Sequence, residues 1–402
     1  MIYAGIDWAT RAHEVAVVDT RGERIARRAV SNSGAGLAEL VDWLIGLAGE
    51  AGQVQVAIEV PHGAVVETLL ERGIAVFACN PKQLDRFRDR FSVPGAKDDS
   101  LDALVLANSL RTDCHAFRSI RMDDADTIIL REWSRMADEL SAERTRLTNR
   151  LIEQLRRFFP QALSLTDDCG RAWFMDLMEA VPTPAKAATV RARVVAAILK
   201  RHRIRKHSAD SVLKALRVQS VQVAAGTTEA ACAHIALLTQ RLRLVSEQWT
   251  GARKRIEELL TPQGHVEPTD AEVLRSMPGL GVLICGTLLG EAGALLAQRD
   301  YRALRALAGI APVTRRSGKS RRVVMRKACH GRLRRAIYHW ARVAAQCDPH
   351  WKSRYAEYRA RGHSHGRACR GLGDRLLKVA LAMLENRTLY DRSKFTMELQ
   401  TA

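Results

Sequence analysis

The sequence has no paired cysteines, no unbroken apolar run of membrane length, and a deficit of acid. Its eight cysteines (Cys79, Cys114, Cys169, Cys232, Cys285, Cys329, Cys347 and Cys369) include no CxxC pair. That excludes a disulfide framework and suits thiols in a reducing cytosol. The most apolar long window, Val282 to Ala297, is interrupted by Glu291 and falls short of the roughly 20 residues a bilayer span needs. The opening MIYAGIDWAT puts Asp7 where a signal peptide needs its apolar centre, so neither a signal peptide nor a membrane anchor is expected. The expectation is a soluble, cytoplasmic chain. At 402 residues with 47% hydrophobic and 27% charged side chains, it is neither a stapled mini-protein nor a disordered or low-complexity chain, and two or three domains are expected.

What is abundant is positive charge. The 63 Lys and Arg against 44 Asp and Glu leave +19. Between Ala311 and Arg375 there are 18 Lys and Arg against 3 Asp and Glu, so +15 of the total sits in one block. Scattered charge would be a solvated surface. An Arg-dense block interleaved with Tyr338, Trp340, Trp351, Tyr355 and Tyr358 points to nucleic acid.

Hydropathy gives a coarse architecture. Ile2 to Trp8, His13 to Asp19 and Glu23 to Val30 read as three strands of a meander,. Helical spacing at 37–47, an apolar strand at 54–60, a helix at 64–72, a strand at 74–79, and helices opened by Pro81 and Lys97 follow,. The order βββαβαβα is that of an RNase H-like domain, placed at 1–115. A long helix over 126–159 and a second with a heptad seam (Ile235, Leu238, Leu242, Val245, Trp249, Ala252, Ile256, Leu259) define a helical coiled-coil region, 126–262. The two helices pair either as a hairpin within one chain or between protomers. The segment between them, 160–229, is read as helical, with a basic stretch at Lys200–His207. After a linker at 263–270, a helical C-terminal domain spans 270–390. Its Met277-Pro278-Gly279-Leu280-Gly281 turn is like a helix-hairpin-helix element, whose backbone N–H groups can meet phosphate.

The acids carry the first chemistry. Asp7 lies on the first strand and Glu59 near the end of the 54–60 strand, two strands that neighbour each other in an RNase H-like sheet. Asp99 and Asp102 stand three apart at the start of a helix, on one face. Singly, each has a structural explanation as a turn former or a helix N-terminal acid. Together, four converging carboxylates call for divalent cations, Mg²⁺ or Mn²⁺ with oxygen ligands.

The C-terminal block supplies a hydroxyl among cations. It reads Leu307-Ala308-Gly309-Ile310-Ala311-Pro312, then Arg315-Arg316-Ser317-Gly318-Lys319-Ser320-Arg321-Arg322, then Arg326, Lys327, Arg334 and Arg335. Gly318-Lys319-Ser320 is not a P-loop, since Val313 stands at the first glycine position. With Gly5-Ile6-Asp7, the Glu59 strand and Lys97-Asp98-Asp99-Ser100-Leu101-Asp102-Ala103, the chain resembles the DEDD-type insertion-sequence transposases, a family described as bridge-RNA-guided DNA recombinases. The resemblance covers about 2–112 and 270–390.

The resemblance implies that Asp7, Glu59, Asp99 and Asp102 of a RuvC-like domain hold metal. It also implies that Ser317, in the Ser-Gly motif after Gly309-Ile310-Ala311-Pro312, is the nucleophile. Attack on phosphorus would give a phosphoserine that conserves bond energy for religation, without ATP. Where the family has Thr or Ser before the third acid this chain has Asp98, which competes for the role given to Asp99; the spacing to Asp102 favours Asp99. Further implications are donor and target DNA, a guide RNA that reads sequence while Arg315, Arg316, Lys319, Arg321, Arg322, Arg326, Lys327, Arg334 and Arg335 bind nucleic acid, and a homo-oligomer, dimer or tetramer. Two other readings stand beside this one: a Holliday-junction-type nuclease that hydrolyses with water, and a non-catalytic nucleic-acid-binding protein. Cys347, His350, His363, His365 and Cys369 are too irregularly spaced for a zinc site, and Trp8 is expected to pack.

Overall fold

The computed structural model describes residues 1–90, 99–224, 226–261, 264, 267–318 and 320–393. Lys97, Asp98, Lys319, Pro262 and Gln263, which figure in the sequence reading, lie outside them. The chain folds as two units, Met1–Asp124 and Ala125–Ala402.

In the first unit β1 (Ile2–Asp7), β2 (Ala12–Val18) and β3 (Arg24–Ser31) form the expected antiparallel meander. Helix α1 (Gly34–Ala48) starts at Ser33, whose side chain accepts from the Gly36 N–H, a standard N-cap,. Strand β4 (Val54–Ile58), α2 (Ala64–Glu71), β5 (Ala75–Ala78), α3 (Pro81–Arg88) and α4 (Asp99–Asp113) follow. Asn80 caps α3 and Pro81 occupies its first turn, the signal read from sequence,. A sixth strand not anticipated, β6 (Arg118–Ile120), closes the edge antiparallel to β5. The sheet order is β3-β2-β1-β4-β5-β6, with β1, β4 and β5 parallel. This is an α/β arrangement consistent with an RNase H-like domain.

Alternation along the strands divides the core in two. Ile2, Ala4 and Ile6 of β1 and Val54, Val56 and Ile58 of β4 pack with α1 and α2 on one face. Tyr3 and Ala57 face the other way, with Leu84 of α3 and Val105, Leu106 and Leu110 of α4. Gly5 lies on this second face. A Cβ there would run into the Ala103 carbonyl oxygen, and would lie 2.6 Å from the Ala107 nitrogen and 2.8 Å from the Leu106 Cβ. Only glycine lets α4 come this close.

The second unit is mostly helical. Helices α5 (Ala125–Phe158), α6 (Ala172–Ala180), α7 (Pro184–Thr189), α8 (Ala192–Arg201), α9 (Ala209–Leu216) and α10 (Thr227–Leu259) make its first half. Helices α5 and α10 pair within the chain. Leu147, Leu151 and Leu155 meet Ile235, Leu238 and Leu242 at one end, where α6 to α9 complete the core. Leu130 and Ala137 share the other end with Ala252 and Ile256, so the helices run antiparallel. The buried seam of α10 contains Ile235, Leu238, Leu242, Val245, Ala252 and Ile256, the heptad positions named above,.

At that second end lie α11 (Asp270–Arg275), α12 (Val282–Ala297), α13 (Tyr301–Leu307), the hairpin β7 (Val313–Ser317) and β8 (Ser320–Val324), α14 (Gly331–Cys347), α15 (Pro349–Ala360) and α16 (His365–Glu385). A β-hairpin thus interrupts a domain expected to be helical; β-branched residues on either side of Gly318-Lys319 favour it. The Pro278-Gly279 turn does join two helices. Its inner side is committed to α14: Trp340 Nε1 donates to the Pro278 carbonyl at 3.1 Å, and a Cβ on Gly279 would lie 3.0 Å from the Ala344 Cα. Among the described residues no helix is long and apolar enough to cross a membrane.

A buried ionic network fixes the hairpin's C-terminal side. Glu291 of α12, 4% exposed, accepts a bidentate pair from Arg135 of α5 at 2.9 and 3.0 Å and another hydrogen bond from Arg332 of α14. Arg332 also reaches Asp138 and the Ser134 hydroxyl, both at 2.9 Å. Burial alone would raise the Glu291 carboxyl, but the Arg135 hydrogen bonds and the charges of Arg135, His330 and Arg332 hold it below the ordinary value. A depressed folded-state pKa contributes stability above the unfolded value, and that contribution is lost as pH falls. Glu291→Gln is therefore expected to destabilise the second unit at pH 7 by about 3 kcal/mol. Thermal melts below about pH 4.3, the unfolded carboxylate value, should show the wild type converging on the variant.

Candidate active site

The β1–β4 register ends with Ile6 opposite Ile58; Asp7 is the last residue of β1 and Glu59 the first after β4, so the two acids fall in a row at adjacent strand ends. Alternation puts Asp7 on the Gly5 face, where α4 packs. On the next strand Ala78 pairs with Ile58, and the Cys79 N–H donates to the Ile58 carbonyl at 2.9 Å. Cys79 thus continues the row. Burial, reinforced by the Glu59 charge, pushes its thiol up to about 12, so it stays protonated and is no anionic ligand at neutral pH. The row occupies the C-terminal ends of parallel strands, where open α/β sheets place ligands.

Asp99 opens α4, and Asp102 lies one residue before Ala103, the residue pressed on Gly5. The Asp102 side chain is 4% exposed and is clamped bidentately by Arg88 of α3, Nε to Oδ1 at 2.6 Å and Nη2 to Oδ2 at 2.7 Å. The hydrogen bonds that Arg88 donates to Asp102 in turn hold its guanidinium above the usual pKa. Among the described residues no three acidic, imidazole or thiol side chains are gathered closely enough to hold a metal ion. The fold therefore puts Asp7 and Glu59 at the ends of adjacent strands, and gives Asp102 an arginine partner.

Sequence reasoning missed two residues here. Arg88 is one. The other is Glu14 of β2, which pairs directly with Asp7 and accepts from Arg27 Nε and Nη2 at 3.3 and 3.2 Å. A carboxylate within the apolar run of β2 was the available signal.

Ser317 belongs to the other unit. It ends β7, exposed at the hairpin tip and paired with Ser320 across a two-residue turn. Arg315 pairs with Arg322 on the same face, and Arg316 with Arg321 on the opposite face, so cations flank the hydroxyl on both sides. Arg326 Nε donates to the Ala311 carbonyl at 3.4 Å, at the hairpin's foot. Lys327 is exposed beyond β8, and Arg334 and Arg335 are exposed on α14. The unused zinc candidates serve elsewhere: His365 bonds Tyr338 and Tyr355, and His363 stacks on Tyr358. Trp8 is 39% exposed, with its ring centroid 6.3 Å from that of His13.

Residues 4–160 match the DEDD transposase model of IS110 type, and residues 271–356 match the model described as transposase, IS116/IS110/IS902 family. The mini-circle putative transposase for IS117 of Streptomyces coelicolor is 33% identical over 100% of this chain and 98% of its own length. The chain belongs to the IS110 family of transposases. The IS110 protein of the same organism, an uncharacterized 43.6 kDa product, is 29% identical across 97% of this chain and 95% of its own length. The putative transposase y4uE of Sinorhizobium fredii is 56% identical over 52% of this chain, which spans 58% of that relative. The transposase is thus an enzyme that acts on DNA.

In the transposase, Arg88→Met should strand the buried Asp102 carboxylate and destabilise the first unit by about 3 kcal/mol, while Arg88→Met combined with Asp102→Leu should recover most of the loss. Denaturant unfolding of both variants checks this, and equal losses in the two would refute the ion-pair account.

Proposed function

We propose that the transposase cuts and rejoins donor and target DNA through a Ser317-linked intermediate, aided by a divalent metal at Asp7, Glu59, Asp99 and Asp102 and guided by an RNA. The observation that supports this reading is the strand register, which ends β1 at Asp7 and β4 just before Glu59, next to each other in the sheet. Two acids at adjacent strand ends suit a hard cation, and the fit is completed if Asp102 exchanges Arg88 for it. Mg²⁺ or Mn²⁺, when bound, supplies positive charge against the charge that develops on phosphate oxygens.

The chain's own residues do the rest. Arg315 and Arg322 on the Ser317 face orient the scissile phosphate. The Ser317 hydroxyl attacks phosphorus and gives up its proton, forming a serine–phosphate ester; the leaving deoxyribose oxygen takes up a proton. The incoming strand's hydroxyl reverses these steps. Arg316, Lys319, Arg321, Arg326, Lys327, Arg334 and Arg335 bind backbone, and base pairing to the RNA chooses the site. We assign 1–115 to the acids, 126–262 to the connecting helices and 270–390 to the serine, in a cytoplasmic enzyme. Strand exchange needs at least two serines, hence a homo-oligomer, dimer or tetramer. Leu237 and Leu244, 61% and 55% exposed and seven apart on α10, support association,.

The test mixes the full chain with DNA and RNA prepared from the gene's flanks and Mg²⁺, and looks for a denaturant-resistant protein–DNA adduct. The adduct is expected in wild type and lost in Ser317→Ala and in Asp7→Asn. Cleavage without adduct, indifferent to Ser317→Ala, would identify a water-using nuclease; binding without cleavage, indifferent to Asp7→Asn, a non-catalytic protein. Separately, Arg315→Ala with Arg322→Ala should flatten the slope of log affinity against log salt by about 2 × 0.8, read from binding isotherms at several salt concentrations.

A further inference from the structure

At the foot of the β7–β8 hairpin the second unit encloses a cavity of about 300 Å³. Ile310, Ile337 and Met325 give it apolar walls, and Tyr338 is part of its lining. The Tyr338 ring is fixed in place, since its hydroxyl lies 3.0 Å from His365 Nε2 while His365 Nδ1 lies 2.8 Å from the Tyr355 hydroxyl. Three guanidinium groups, Arg334, Arg335 and Arg370, also border the cavity. Among the described residues the nearest acid to any of them is Asp138, 3.9 Å from Arg335, and neither Arg334 nor Arg370 has a carboxylate partner.

These features select a ligand with two characters. A free phosphate has no use for an apolar recess, and an apolar molecule has none for three cations with so little compensation. A flat aromatic body joined to phosphate satisfies both. The structure assigns this cavity, in our reading, to one nucleobase unstacked from the DNA strand engaged at Ser317, with the base against Tyr338 and its flanking phosphates on Arg334, Arg335 and Arg370. Apolar and aromatic walls hold extruded bases in this way.

Geometry sets the position. Ser317 is four residues beyond Val313 at the hairpin's foot, about 13 Å at 3.3 Å per residue. A strand spans that distance in a few nucleotides, so the unstacked base lies within a few nucleotides of the phosphate at Ser317. This inference rests on the role proposed for Ser317.

The experiment uses the full chain and donor DNA carrying 2-aminopurine at one position at a time. A change in emission confined to one position, within a few nucleotides of the adduct site, is expected. A side chain at Gly366 meets open space at the cavity, with only Arg370 Nη1 at 3.7 Å, and a helical glycine is replaced without loss of stability. Gly366→Phe should therefore fill the recess, keep or raise the melting temperature and abolish the emission change; Arg370→Gln should weaken it several-fold. A Ser317 adduct with no responding position, or a response that survives in Gly366→Phe, would overturn the inference and leave the proposed function standing. A response without an adduct would do the reverse. A response confined to 2-aminopurine placed in the RNA would also overturn it.

Discussion

Contact between α4 and β1 at Gly5 sets the spacing of the first unit. Because no Cβ intervenes, the Ala103 carbonyl lies directly on the strand, and Asp102 is delivered beneath the sheet's C-terminal edge rather than into solvent. Its burial then requires a counter-charge, since an isolated carboxylate in an apolar setting costs several kcal/mol. Arg88 from α3 supplies it bidentately. One missing side chain therefore positions an acid, and that acid explains why the preceding helix presents an arginine.

The second unit achieves rigidity by other means. A two-stranded hairpin is marginal alone, and β7–β8 is largely exposed. Its footing is the Arg332 node, which joins the start of α14 to α5 and α12 through Asp138, Ser134 and Glu291. On the other side, the Gly309 turn packs against Cys329, and the His330 N–H donates to the Leu307 carbonyl at 2.7 Å. The tip carrying Ser317 thus projects from a braced base.

The meander, β4, α3 and the α10 seam were legible because each is local: alternation, an apolar run, Pro81 at a helix start, and a heptad. The same heptad serves a hairpin or a dimer equally, so its partner was not legible until the antiparallel pairing with α5 decided it. Glu14 escaped because its nearness to Asp7 comes from antiparallel register, and Arg88 because α3–α4 packing brings residues 14 apart into one ion pair. Strand β6 is three residues long, too short for a period, and β7–β8 was hidden by arginines on exposed faces. The Pro278-Gly279 turn was visible, but which side it buries depends on Trp340. That β1 and β4 lie side by side followed from the strand order, whereas the clamp on Asp102 did not.

The charge layout has a cost. Glu14 of β2 stands opposite Asp7 of β1, and two unit charges about 5 Å apart at an effective dielectric of about 20 repel by roughly 3 kcal/mol. Arg27 offsets Glu14, and Arg88 offsets Asp102 of α4. Glu14 and Asp102 are thus each matched by a guanidinium drawn from another element. The arginines around Ser317 follow the opposite logic. Arg315, Arg316, Arg321 and Arg322 are exposed on the hairpin, keep their hydration, and so cost folding little. Acids set by strand register and helix packing need a partner brought by the fold, whereas solvated cations at a hairpin tip need none.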